Sequence, residues 1–309
     1  MRSVLMSLSH RRSLGRLATR LPFTRPVVAR FVAGESLGAV LPALERARDA
    51  GYRTTVDILG ESVRSTEAAR SAADSYVEAL AALDDRGLDL NVSLKLSQMG
   101  LRLGPVVARE NVARVLVAAA GRGAFVRIDM EDHATTDATL DLWRGLRPAM
   151  AGSGDVGVVI QAALRRSEAD VDRLIDEGGR IRLCKGAYRE PPAVAYQDRH
   201  EVDAAYVRLM ERLLLDGARP ALATHDDAIV ARAIAFAREH GIVADRFEFQ
   251  MLYGVRRDLQ EQLLREGWQV RIYVPFGGEW YPYFMRRLAE RPANVTFLVR
   301  SLLRERRAG

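Results

Sequence analysis

The chain reads as an α/β protein of the (β/α)8, TIM-barrel class, preceded by a helical extension. Three observations carry that expectation. Eight short β-rich runs recur along the sequence, and longer Ala/Leu/Arg segments of helical periodicity separate them. The alternation lasts for roughly 250 residues, the usual size of such a barrel. No Pro-rich or Ser-rich linker interrupts it, so residues 51–309 read as one barrel domain and residues 1–50 as its extension.

The predicted strands are 54–59, 90–96, 125–130, 157–161, 180–185, 221–225, 247–252 and 270–274. Each is a short apolar or β-branched run bounded by turn residues. The predicted helices are 67–83, 106–120, 136–147, 167–177, 201–215, 227–239, 256–265 and 282–289, the last opening on Pro282, which suits a first helical turn. In the extension, Leu5, Leu8, Leu14, Leu17 and Leu21 mark one side of a further helix.

Composition narrows the function classes. With 309 residues, 48% of them hydrophobic, the chain can bury a substantial core. No apolar run reaches the about 18 residues that suggest a membrane span. The single cysteine, Cys184, excludes an internal disulfide framework and points to a reducing cytoplasm. Of 46 basic residues only Lys95 and Lys185 are lysine, which makes each a candidate for work that arginine does not do. Seven arginines and no acid occupy the first thirty residues, a basic stretch suited to peripheral contact with anionic lipid. No nucleic-acid reading module is present.

A barrel enzyme carries its chemistry at the C-terminal ends of its strands. Those ends here hold Glu61, Lys95, Asp129 with Glu131 and Asp132, Gln161, Lys185, His225, Gln250 and Tyr273. Gly186 and Ala187 follow Lys185 and offer backbone without bulk, where a phosphate or flat ring can approach. His225, after Thr224, suits a base, a phosphate donor or a metal ligand, although the other histidines have no matching ligand spacing. We assign no metal site, including at the Asp129, Glu131, Asp132 and His133 cluster. Cys184 reads as a small packed residue. Gly152, Gly154 and Gly157 match the dinucleotide spacing, but that segment follows a helix and leads into a strand, so it reads as a loop. Arg286 and Arg287 sit adjacent near a helix start beside Tyr283, where two guanidiniums repel unless an anion lies between them.

Several strings taken together resemble one family. VSLKLSQMG (92–100), VRIDMEDH (126–133), VVIQA (158–162), RLCKGAYREP (182–191), ATHD (223–226), FQMLYG (249–254) and RIYVPFGGEWYPYFMRRLAE (271–290) are similar, in order, to proline dehydrogenases, as is RFVAGESL (30–37). The resemblance covers nearly the whole barrel and is closest to the monofunctional bacterial form; long bifunctional members often carry tryptophan where Arg189 stands.

That resemblance implies a distorted barrel binding FAD non-covalently and oxidising L-proline to Δ1-pyrroline-5-carboxylate, the first step of proline catabolism. A quinone-type acceptor would reoxidise the flavin, and a separate pyrroline-5-carboxylate dehydrogenase would take the product. It also implies roles: Lys95, Arg286 and Arg287 on the substrate carboxylate; Tyr273 and Tyr283 along the proline ring; Asp129 and Arg182 as catalytic residues. Met130 and Gln161 would contact the flavin ring system, with Lys185, Gly186, Ala187, Thr224 and His225 on its diphosphate and ribityl portion. Glu290 matches another position near the cofactor. From the residues alone a second reading stands, a barrel lyase forming a Schiff base on Lys95 or Lys185.

Overall fold

The computed structural model describes residues 31–60, 63–150 and 154–280. The leucine helix of the extension, Glu61, the helix expected at 282–289, Tyr283, Arg286, Arg287 and Glu290 lie outside the described residues. Within them, helix α1 (Leu37–Asp49) leads into β1 (Arg53–Ile58), α2 (Thr66–Asp85), β2 (Asn91–Lys95), α3 (Pro105–Ala120) and β3 (Phe125–Asp129). Then come α4 (Thr136–Leu146), β4 (Asp155–Gln161), α5 (Ser167–Asp176), β5 (Arg180–Cys184), α6 (Arg199–Asp216), β6 (Ala221–Ala223), α7 (Asp227–Glu239), β7 (Glu248–Leu252), α8 (Arg257–Arg265) and β8 (Val270–Phe276). Short 3₁₀ turns precede and follow α4. All eight strands are parallel and join in sequence order, and β8 pairs with β1 to close the barrel.

Local chemistry starts the helices where the chain must turn back. Ser36, Ser65, Asp198 and Asp226 each accept a hydrogen bond from a backbone N–H in the first turn of α1, α2, α6 and α7. Pro105 opens α3, where a missing N–H has no consequence. Helix α1 lies against β1 and β8, the seam where the barrel closes.

Strand alternation divides the side chains into two sets. One set, including Val56, Val92, Leu94, Val126, Ile128, Val158, Ile160, Leu183, Leu222, Phe249, Ile272 and Val274, is buried in the main apolar cluster with the helices. The other faces the barrel axis and is largely polar: Asp57, Ser93, Lys95, Arg127, Asp129, Gln161, Arg182, Glu248, Gln250, Arg271 and Tyr273. Arg182 on β5 donates to Ser93 Oγ on β2 at 2.8 Å, a bond across the barrel that requires both side chains to point inward. Barrels of this kind are usually filled by branched apolar side chains; this one is filled by hydrogen-bonded charges.

The expected strands are all present, with two informative differences. Strand β4 opens at Asp155, two residues before the expected start at Gly157. A Cβ at Gly157 would stand 2.4 Å from Arg180 O and 2.7 Å from Arg127 Nη1, so the bare backbone makes room for the buried Arg127, which donates to the carbonyls of Val158 and Arg180. Strand β6 stops at Ala223 instead of reaching His225. Thr224 Oγ1 accepts from Asp226 N at 3.1 Å and His225 Nε2 accepts from Leu252 N at 2.9 Å, bonds that tie these residues to the turn and the neighbouring strand.

Candidate active site

Lys95 ends β2 and Asp129 ends β3, and the two are partners in strand register. The structure joins them with Arg182 and Tyr273 in one network at the C-terminal end of the barrel. Asp129 uses both oxygens: Oδ1 accepts from Arg182 Nη1 at 2.8 Å, and Oδ2 accepts from the Tyr273 hydroxyl at 2.9 Å. Lys95 Nζ stands 3.4 Å from Asp129 Oδ2 and 3.5 Å from Tyr273 Oη. Arg182 is also held by Gln250 Oε1 and Ser93 Oγ, and its guanidinium lies 5.0 Å from the Tyr273 ring centroid, within cation–π range. Three polar partners and a ring leave that guanidinium one orientation.

Sequence reasoning missed Asp57 of β1. Both its oxygens accept from Lys95 Nζ, at 2.9 and 3.0 Å. Burial works against the Lys95 charge, but Asp57, Tyr273 and Asp129 outweigh it and hold the ammonium pKa well above its usual value. Burial pushes the Asp57 carboxyl upward, with Lys95 pulling it back; with both oxygens facing the ammonium, the ion pair is the form that the geometry supports. Tyr273 is pushed well up by burial and by the carboxylates beside it, so its hydroxyl keeps the proton it donates to Asp129. The signal for Asp57 was an aspartate inside a β-branched and apolar run, TTVDIL, although it lies one inward position before the rim.

The network continues down the axis. Gln250 donates to Glu248 Oε1, which also accepts from Arg271 Nε at 2.8 Å. Burial alone would raise the Glu248 pKa, but Arg271, Gln250 and Arg127 bring it down to about 2. This carboxylate is charged throughout the neutral range.

Other expected residues stand apart from that network. Lys185 Nζ pairs with Asp203 and, at 2.9 Å, with Asp226. Arg199 approaches the same aspartates at 3.7 and 3.8 Å. Gly186 is exposed at φ +111, and a Cβ there would sit 3.2 Å from Gln161 Oε1 and Ala163 Cβ, so the strand end presents bare backbone. Ala187 is exposed beside it, and Met130 is buried. Gln161 Nε2 donates to Glu131 O at 2.7 Å, while the Glu131 carboxylate accepts from Ser97 N and Oγ. His225 uses Nε2 as an acceptor from Leu252 N, so at that nitrogen it is no donor to a phosphate; Thr224 Oγ1 is likewise engaged as an acceptor.

Three further groups bear on other chemistries. Cys184 is pushed up to about 12 by burial, which keeps its thiol protonated and unreactive. His133 pairs with Glu190 through its backbone N and its Nδ1, tying the loop after β3 to the loop after β5. Among the described residues no group of three or more His, Cys, Asp or Glu side chains is arranged to hold a metal ion, and no helix is long and apolar enough to cross a membrane. An ammonium ion-paired as Lys95 is has no lone pair for Schiff-base attack.

Comparison with known proteins identifies the family. The family profile for proline dehydrogenase matches residues 40–300. Proline dehydrogenase 2 of Bacillus subtilis is 38% identical over 282 residues, covering 91% of this chain and 92% of its own. Proline dehydrogenase of Deinococcus radiodurans is 39% identical over 98% of both chains. Among solved structures, proline utilization A from Bdellovibrio bacteriovorus, inactivated by N-propargylglycine, superposes with a TM-score of 0.79 at 28% identity. The match covers 86% of this chain and 32% of that larger protein. From a family profile spanning most of the sequence, near full-length relatives and a shared closed barrel, the chain belongs to the proline dehydrogenase family, enzymes that oxidise proline in its catabolism.

Proposed function

We propose that this enzyme oxidises L-proline to Δ1-pyrroline-5-carboxylate with FAD as cofactor and passes the electrons to a quinone-type acceptor. The observation that carries this reading is the buried network of Lys95, Asp129, Arg182 and Tyr273 on one barrel rim. The family is generally flavin-dependent, and the residues fit such a group. Gly186 offers exposed backbone at a positive φ, Lys185 offers a half-buried cation for a diphosphate, and Arg182 offers an immobilised guanidinium.

The bound flavin would supply the hydride acceptor. The rest is positioning, and the chain's own side chains do it. Lys95, with Arg286 and Arg287, would grip the substrate carboxylate; a rigid anchor is what holds the ring carbon beside nitrogen at near-attack distance. Tyr273 and Tyr283 would wall the ring, and Asp129 would orient both Tyr273 and Arg182. Gln161 and Met130 would meet the flavin ring system. Lys185, Gly186, Ala187, Thr224 and His225 would line the diphosphate and ribityl portion, His225 through its ring carbons or Nδ1 because its Nε2 is engaged. The proline nitrogen must be neutral before hydride leaves the adjacent carbon; its proton goes to solvent.

An absorbance spectrum of the purified protein before and after adding proline is the direct test. A flavin spectrum that bleaches with proline is expected; colourless protein that reduces no dye acceptor would end the proposal. N-propargylglycine should inactivate this enzyme as it does the Bdellovibrio protein, with proline protecting. Borohydride trapping with a carbonyl substrate should leave no adduct on either lysine, which separates this reading from a lyase. Arg286→Lys is expected to weaken proline binding with flavin content unchanged, because the planar fork is lost. We further propose residues 1–50 as an extension of the barrel domain, a cytoplasmic location with peripheral contact at the membrane's inner face, no nucleic-acid role, and a separate pyrroline-5-carboxylate dehydrogenase as consumer of the product.

A further inference from the structure

Asp57 is the second buried carboxylate of the rim, and nothing in the family strings assigned it work. It is 1% exposed. The two carboxylates divide the labour unequally. Asp129 is committed through both oxygens to Arg182 and Tyr273, and its approach to Lys95 is long, 3.4 Å. Asp57 turns both oxygens on Lys95 at 2.9 and 3.0 Å.

Register explains the direction of that grip. Asp57 pairs with Ser93, one inward position before Lys95 on β2. Its carboxylate therefore meets the ammonium from inside the barrel. Lys95 keeps 16% side-chain exposure against 2% for Asp57, so of the two partners Lys95 is the one a ligand can reach. An ammonium has three N–H donors; two can face Asp57, and the third, 3.4 Å from Asp129 Oδ2 and 3.5 Å from Tyr273 Oη, can turn to a substrate oxygen.

We propose that Asp57 is a positioning residue for proline oxidation, fixing the Lys95 ammonium as a cation at the barrel mouth and limiting its hold on the Asp129–Tyr273 pair to a long contact. The proposal rests on Lys95 as a ligand of the substrate carboxylate. Without Asp57, the nearest acceptor for Lys95 is Asp129 Oδ2, the oxygen that receives the Tyr273 hydroxyl, and the ammonium would compete there. A buried ion pair is a poor device for stability alone, since apolar residues of similar volume serve as well. The groups facing the ammonium are Asp57 from β1, Tyr76 from α2, Asp129 from β3 and Tyr273 from β8. Among them Asp57 contributes most to keeping Lys95 charged against its burial.

The test is a double-mutant cycle on the flavin-loaded enzyme. Asp57→Asn should raise the proline KM by on the order of tenfold with flavin content unchanged. It should also move the alkaline limb of kcat/KM to lower pH, because Lys95 then loses its proton sooner. In a Lys95→Met background, Asp57→Asn should change KM less than about twofold, since the group through which it acts is gone. The double variant also removes both charges together, so the cycle can be read even where Asp57→Asn alone folds poorly: its KM should equal that of Lys95→Met. A folded Asp57→Asn enzyme with the wild-type KM and pH profile would overturn the proposal, as would a double variant with a KM well above that of Lys95→Met. Wild-type protein that binds no flavin and oxidises no proline would instead overturn the reaction itself.

Discussion

The chain's two lysines, one ending β2 and one just past the end of β5, sit in opposite surroundings. Lys95 lies beside carboxylates that water hardly reaches, its side chain 16% exposed and that of Asp57 only 2%. Lys185 is 26% exposed, and its partners Asp203 and Asp226 are 28% and 22% exposed. Both make ion pairs of similar length, so distance does not separate them. Solvent does. In the barrel the charges interact strongly, and removing one leaves its partner buried and uncompensated. Around Lys185, water screens the same contact and can take over either partner. Asp226 also caps α7, so it keeps work to do without the lysine.

The largest effect should come from breaking the buried side. Lys95→Met leaves the buried Asp57 without its cation and beside Asp129, which keeps Arg182. We expect a loss of about 3–5 kcal/mol in stability, read by urea unfolding, and a fall in proline kcat/KM on the order of a hundredfold or more. An unfolding midpoint close to wild type would mean that the barrel interior is wetter than its burial implies.

Glu248 probes the same low-dielectric axis by pH. Its folded pKa, about 2, lies below the unfolded value of about 4.3, so its contribution is fully present above the unfolded value and is lost as pH falls from there toward 2. The difference corresponds to about 3 kcal/mol. Glu248→Gln should therefore be less stable than wild type at neutral pH, with the gap closing between about pH 4 and 2 in acid-unfolding curves. A constant gap across that range would assign the stability to packing instead.

Lys185→Ala tests the screened side. Its stability should change by less than about 1 kcal/mol, while the flavin dissociation constant rises on the order of tenfold through loss of a point charge. The opposite pattern, unfolding with flavin affinity retained, would make Lys185 a structural tie between Asp203 and Asp226. Smallest of all is Arg208→Ala, which removes an exposed pair with Glu168. It should alter stability by no more than about 0.5 kcal/mol and leave the proline kinetics unchanged.

The barrel was legible because its two periodicities are written locally. Eight apolar runs and the helices between them are set by residues a few positions apart, and cap residues such as Ser65 and Asp226 mark the turns. Lys95, Asp129 and Tyr273 were legible as polar groups at the ends of those runs, and Arg182 through the family strings. The reading failed where a side chain answered to a distant neighbour. Gly157 was legible as a strand residue, but not its reason for being glycine, which is Arg127 on another strand. His225 was expected inside strand 221–225, yet β6 stops at Ala223 and its Nε2 accepts from Leu252 N of the neighbouring strand.

By itself the sequence determined the alternation, the closure into eight units and the family, since these depend on short-range pattern and on strings that can be read in place. Tertiary structure alone decided how the inward charges divide among partners. Lys95 meets Asp57 across 38 residues and Tyr273 across 178, and no local rule relates such positions. Closing the ring from β1 to β8 brings them to one level, and the exclusion of water there makes the choice of partner matter.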